Sequence, residues 1–468
     1  MTRLGASPTL RPGAVAKACA INPLKMSQPL GAALAFLGIE RAMPVFHGAQ
    51  GCTAFGLVLL VRHFREAIPL QTTAMNEVTT IMGGGDNIEK ALLNIYERAK
   101  PAFIGIASTG LTETKGDDVD GELRRIRSDH PELTVPVVYV STPDYQGAFQ
   151  DGWAKAVTRM VAAFAKRAPT VRGLVTLLPG GHVTPGDIIE LHEILEDFGL
   201  EVIVLPDISG SLDGHVPDDF SPTSLGGTKI SDLYRIGASE AVIALGEQMR
   251  PAAQMMTAMT GVPSVVFDTL TGLLANDRFF SYLSALSQRA VPLKYRSQRS
   301  RLVDAMLDAH FFFGGRRVAI GAEPDLLWTL STWLQGMGAA VVAAVTTTQS
   351  PLLEHPLMAG THIGDLDDLE RQALAQGCDL LITHSHGRQA AARLGIPFLR
   401  MGLPLFDRLG AAHRVLVGYR GTRELTFEVG NLWLAHDPES GPHGHTHCPA
   451  AGDRGGDPIL ACRLDVRP

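Results

Sequence analysis

Short β-branched runs, each followed by an amphipathic stretch, recur along most of this chain, and that alternation restricts the fold more than any other feature. Phe103–Thr109, Val135–Thr142, Leu174–Leu178, Glu201–Pro206, Ala241–Leu245, Ser264–Asp268, Arg317–Gly321, Val341–Thr346, Asp379–Thr383 and Pro397–Met401 read as buried strands. Trp153–Lys166, Gly186–Phe198, Pro324–Met337 and Leu366–Gln376 read as helices. Such βαβα alternation builds parallel sheets flanked by helices. The expected fold class is α/β, with Rossmann-like units.

At roughly 150 residues per domain, 468 residues make about three domains. Lys166–Arg172 is a polar break that contains Pro169, and Leu293–Arg301 is a basic stretch that leads into a long helical pattern. Gly314–Arg316 precedes a fresh strand. These breaks give expected domains at 1–170, 171–310 and 311–437. After Asp437 the sequence turns to Gly, Pro and His with little periodicity, so 438–468 is expected to be a disordered tail carrying His443, His445 and His447.

The formal net charge of −7 points to neither nucleic acid nor an anionic membrane surface as a partner. No apolar run reaches the roughly 20 residues of a membrane span, and the N-terminus lacks the apolar core of a signal peptide. A cytoplasmic location is expected. The five cysteines are Cys19, Cys52, Cys378, Cys448 and Cys462. Their odd number and the lack of a CxxC pair fit free or metal-bound thiols better than a disulfide framework.

The sharpest local signal is Met43–Thr53, where Cys52 follows Gly48 and Gly51 just before a helical pattern at Leu57–Phe64. Glycines let a bulky ligand approach the backbone. A helix start offers free N–H groups and partial positive charge, which favour a thiolate. Taken alone, such a cysteine is more often a buried structural thiol. An iron–sulfur cluster normally takes four thiolates. The N-terminal domain offers only Cys52 and Cys19, so a second chain must supply the rest.

Gly83–Asn87 resembles a phosphate-binding turn but lacks the Lys-Ser/Thr of a P-loop, and reads better as a glycine turn with Asp86 or Asn87 capping a helix. His384, His386 and Arg388 cluster after a strand near Cys378; a His pair at that spacing can bind metal, but anchoring of the next helix is the plainer account. No catalytic triad, acid–base carboxylate pair or HExxH is readable, so no catalytic residue is assigned.

Longer motifs carry a resemblance. Ile21–Ala32, His47–Thr53, His63–Glu66, Ala107–Asp118, Leu380–Gly387, Gly395–Gly402 and Phe406–Gly421 are similar to the nitrogenase component 1 β-subunit family across roughly residues 17–435. The catalytic β-subunits of that family hold their share of a metal cluster through three cysteines. Here the first position is Ser27, the second is Cys52 and the third falls at Gly110. One thiol in three resembles the cofactor-assembly branch of the family rather than the catalytic β-subunit. Subunits of dark-operative protochlorophyllide reductase match less well.

The resemblance implies a scaffold subunit without a self-contained active site. It implies a heterotetramer with a NifE-like chain and a [4Fe–4S] cluster shared with that chain through Cys52. It also implies that the complex transiently holds a precursor of the iron–molybdenum cofactor. The same resemblance implies transient contacts with the nitrogenase Fe protein, with the precursor donor NifB and with apo-nitrogenase. A rival of a different class is a metal-binding α/β protein with no cluster.

Overall fold

The computed structural model describes residues 22–216 and 219–436. The tail at 438–468, Cys19, Cys448 and Cys462 lie outside the described residues.

Three separate parallel sheets form along the chain. The first contains β1 (Ala42–His47), β2 (Gln71–Thr72), β3 (Phe103–Ser108) and β4 (Val137–Val140), in the order β2-β1-β3-β4. The second contains β5 (Leu174–Leu178), β6 (Glu201–Val204), β7 (Ala241–Leu245) and β8 (Ser264–Phe267), in the order β6-β5-β7-β8. The third contains β9 (Arg317–Gly321), β10 (Ala340–Thr346), β11 (His362–Ile363), β12 (Leu380–Thr383) and β13 (Phe398–Arg400), in the order β11-β10-β9-β12-β13. Every pairing is parallel. Each sheet grows outward in both directions from its first strand. Each therefore has a switch point, where loops leave neighbouring strands in opposite directions and open a crevice at their carboxyl ends.

The first sheet is accompanied by α1 (Gln28–Leu37), α2 (Gln50–Phe64), α3 (Glu77–Met82), α4 (Gly85–Ala99), α5 (Gly110–Lys115), α6 (Val119–Asp129) and α7 (Phe149–Phe164). With the second come α8 (Pro185–Asp197), α9 (Ile230–Leu233), α10 (Arg250–Thr260), α11 (Leu273–Ser287) and α12 (Leu293–Phe313). The third has α13 (Pro324–Gly336), α14 (Leu366–Gln376), α15 (Arg388–Leu394) and α16 (Gly418–His436). The first and second sheets share one apolar core that includes Phe36, Trp153, Leu177 and Ile243. A separate core under the third sheet holds Phe313, Trp333 and Trp433.

The α1–α7 contact depends on two glycines. A Cβ at Gly31 would lie 1.9 Å from the Phe149 carbonyl oxygen, and one at Gly152 would lie 1.9 Å from the Gln28 carbonyl oxygen. Only hydrogen at these positions lets the two backbones meet.

Most sequence expectations for strands hold, with trimmed ends. Val135–Thr142 shortens to β4, which begins after Pro136, a residue with no N–H for the ladder. β1 is not legible as a strand in the sequence, because Pro44 sits inside it and all six residues are buried, so no alternation appears. β2 pairs only Val45 and Phe46, which leaves the edge beside Pro44 open. The basic stretch Leu293–Arg301 is not a lead-in but the first turns of α12. The Gly83–Asn87 turn also differs from expectation. The residue preceding α4 is Gly84, neither Asp86 nor Asn87, and the Asn87 amide instead donates to the Thr73 carbonyl at 2.8 Å.

Candidate functional site

The switch point of the first sheet lies between β1 and β3, and the Cys52 loop leaves it. From the end of β1 the chain runs His47, Gly48, Ala49 and then into α2, placing Cys52 in that helix's first turn. Several bonds hold the loop. The His47 carbonyl accepts from the Thr109 and Thr112 hydroxyls at 3.0 and 3.1 Å. Gly48 donates its N–H to Thr73 Oγ1 at 3.1 Å. A Cβ at Gly48 would come within 2.3 Å of Thr109 Oγ1, so glycine is required there. Around Gly51, by contrast, a Cβ would meet nothing within 4 Å. The chain leaves open space beside Cys52.

Beneath the loop, His47 is fully buried. Its Nδ1 lies 3.0 Å from Thr73 Oγ1, and its Nε2 lies 3.4 Å from Asp117. Burial pushes the imidazole pKa down, against the pull of Asp117.

The other two family ligand positions are also helix starts. Ser27 precedes α1, and Gly110 opens α5. Asp144 joins these regions. Its Oδ2 accepts from the Gly110 N–H at 3.1 Å, and its carboxylate acts electrostatically on Cys52. The Gln28 amide donates to the Pro143 and Gln146 carbonyls at 3.3 and 2.6 Å, fixing the turn that carries Asp144. A Cβ at Gly110 would make ordinary 3.4 Å contacts with Asp144. The missing thiol there is a matter of sequence, not of space.

One expectation is corrected. The helix start was expected to favour a Cys52 thiolate. Instead, partial burial pushes the thiol above its ordinary value, and the Asp144 carboxylate adds to the rise. The opposing backbone hydrogen bond is weaker than both.

Cys52 is exposed, and its surroundings are apolar. Phe55 is 68% exposed on the same face of α2, beside exposed Val58 and Val61. On α3, Ile81 and Met82 are 79% and 81% exposed, and Val78 is exposed too. So many exposed large apolar side chains on two helices mark a contact surface. The sequence contained this signal, since Ala54–Val61 is apolar on every side, as in a helix buried on all faces. His47, Asp117 and Asp144 had no such signal, because their roles depend on which strands become neighbours.

Elsewhere, Cys378 is half-buried against the outer core of the third sheet, with its pKa raised to about 11, chiefly by burial. Packing accounts for that thiol. His384 donates from Nε2 to the Leu24 carbonyl at 3.0 Å and accepts the His386 N–H at Nδ1. It anchors the turn before α15, and both its nitrogens are engaged. Among the described residues, no helix is long and apolar enough to cross a membrane.

The family model for nitrogenase component 1 type oxidoreductases matches residues 27–434. The nitrogenase iron-molybdenum cofactor biosynthesis protein NifN of Bradyrhizobium diazoefficiens is 59% identical over 430 residues, covering 91% of this chain and 92% of that one. The chain belongs to the NifN branch of the nitrogenase component 1 family. The NifN of Rhodobacter capsulatus is 53% identical over 93% of this chain and 96% of its own length. The NifN of Nostoc sp. is 51% identical over 89% of this chain and 94% of its own. Among solved structures, a chain titled "Nitrogenase Cp1 at pH 6.5" superposes with a TM-score of 0.85 at 31% identity, covering 95% of this chain and 98% of that one. The NifN branch thus has the three-sheet α/β architecture of component 1.

Proposed function

We propose that this chain is a scaffold subunit for maturation of the nitrogenase iron–molybdenum cofactor, and that Cys52 is its single ligand to a [4Fe–4S] cluster shared with a NifE-like partner. The observation that carries the reading is the setting of Cys52. It is an exposed thiol at a sheet switch point, with open space beside it and an unpartnered apolar surface around it. Among the described residues, neither Ser27 nor Gly110 offers a second thiol there. An iron–sulfur cluster wants four. The donor set fits one corner of a cluster and needs a partner for the others. Bound iron supplies the positive charge that holds the Cys52 thiolate, which the chain by itself disfavours.

The chain's own residues do the rest. Gln28 and Thr109 fix the two loops that flank the thiol, and the apolar faces of α2 and α3 exclude water once covered. The partnership extends to a heterotetramer in the cytoplasm, which holds the cofactor precursor transiently. It also meets the Fe protein, NifB and apo-nitrogenase in turn. The role is that of a scaffold, not a self-contained enzyme. The three sheets are read as three domains, with boundaries near residues 170 and 310.

Co-expression with the NifE-like chain tests this reading. The pair should co-purify with iron and acid-labile sulfide and give an EPR signal on reduction. Phe55→Asp together with Val58→Asp should abolish co-purification while leaving the single chain folded by circular dichroism. A lone chain that is monomeric and carries a full iron complement would refute it.

A further inference from the structure

The switch points of the second and third sheets face one cavity of about 80 Å³. His182 reaches it from the loop after β5, and Glu323 from the loop after β9. His63, near the far end of α2, forms another part of the wall. Eleven residues separate His63 from Cys52, or about 16 Å along the helix. The cavity is therefore distinct from the Cys52 site, and binding there does not depend on the role of that cysteine.

Hydrogen bonding fixes the tautomers of two histidines. His63 Nδ1 lies 2.8 Å from the Leu405 N–H, which can only donate. His63 Nδ1 is therefore the acceptor, and the proton is on Nε2. His182 Nδ1 lies 3.2 Å from the Gln248 amide nitrogen, again a donor only, so its proton is also on Nε2. Neither Nε2–H has a partner among the described residues. Both rings are partly exposed, and the burial they do have holds each pKa down to about 4, so both are neutral near pH 7. Two unspent donors thus belong to residues that line one cavity.

Two helix starts adjoin the same wall. α8 and α13, each 13 residues long, begin there, and the first turn of each already carries a buried carboxyl group, Asp187 and Asp325. Arg414 is also on the wall, and its guanidinium is committed to Glu428 and to the Arg400 carbonyl, the latter at 2.9 Å. Glu323 is the one carboxyl group on the wall, and burial pushes its pKa up to about 8, leaving it uncharged near neutrality.

A buried water needs about 10–15 Å³ by the same measure, so the space suits a ligand of about five non-hydrogen atoms. We propose that this cavity binds a compact oxyanion, either a tetrahedral dianion or a short carboxylate, whose oxygens accept from His63 Nε2–H and His182 Nε2–H.

The test uses the full chain and two probes, selenate and propionate. Calorimetry should find one saturable site per chain for at least one of them, and the responding probe tells which shape of oxyanion is preferred. A crystal soaked in selenate should show anomalous selenium density between the two imidazoles if the tetrahedral ion is the ligand. His63→Asn and His182→Asn each keep an acceptor near Nδ1 but remove the Nε2 donor, and should each weaken binding roughly tenfold. His63→Gln and His182→Gln keep a donor near Nε2 and should bind within a few-fold of the parent chain. No saturable binding of either probe, with only water in the cavity, overturns the proposal. So does unchanged binding in both Asn variants.

Discussion

Cys52 and His182 occupy corresponding places on two sheets, each in the glycine-containing connection that follows its sheet's first strand, yet their surroundings are opposite. The Cys52 loop opens outward, beside empty space and exposed Phe55. The His182 loop turns inward onto a cavity walled by the third sheet's loops. One topology therefore produces two kinds of crevice. What decides between them is coverage: the third sheet caps the second sheet's switch point, and nothing among the described residues caps the first. An uncapped switch point with an apolar rim calls for another molecule, whereas a capped one can be completed by a small ligand.

The largest expected effect comes from breaking the wall the two sites share. α1 follows Ser27 and lends Leu34 to the cavity, while α7 lends Phe149. Gly152→Ala places a methyl where it would meet the Gln28 carbonyl at 1.9 Å, a clash between backbones that no rotamer relieves. The helices must separate, at a cost of about 3 kcal/mol or more. Thermal unfolding should show the loss. A variant as stable as the parent would mean that the α1–α7 contact is looser than described.

How much of this is legible in the sequence differs between the two regions. The strands after residue 170, apart from the two-residue edge strand β11, declare themselves because β-branched runs bounded by turn residues mean the same thing in any fold. Cys52 is legible because glycines bracket it and because its motif is long. The apolar face of α2 is present in the sequence but ambiguous, since a helix buried inside the chain would read alike. The His63–His182 pairing is not legible. It joins residues 119 positions apart, and both are silent until the sheets are in place.

The next effect is a pH dependence centred on the cavity between the second and third sheets. His63, His182 and His384 are each held down to about 4 by burial, against about 6.5 in an unfolded chain. A depressed base contributes stability that is present above pH 6.5 and lost as pH falls from 6.5 toward 4. Glu323 and Asp325, raised to about 8 and about 7, act in the other direction. Their contribution is present at low pH and is lost as pH rises from about 4 through those values, so they offset part of the acid loss. Removing one histidine isolates its share. His182→Gln should shrink the stability lost between pH 6.5 and 4 by up to about 3 kcal/mol, read from urea unfolding at each pH. An unchanged acid slope would mean that the cavity is wet enough to protonate the ring in the folded state.

The smallest expected change in stability comes from Cys52, and it sharpens the contrast most. The side chain is exposed and touches little that folding needs, so Cys52→Ala should leave unfolding within about 0.5 kcal/mol of the parent. In the complex with the NifE-like partner, the same change should remove iron and the reduced-state EPR signal. Cys378→Ala should do the reverse. Its sulfur packs against the outer core of the third sheet, so truncation should cost about 1 kcal/mol and leave the iron untouched. Opposite responses to the same chemical deletion would separate a ligand thiol from a packing thiol without any assumption about the partner's geometry. Should Cys52→Ala keep its iron while the Cys19→Ala complex loses it, the ligand is Cys19, and the open crevice at the first switch point serves docking alone.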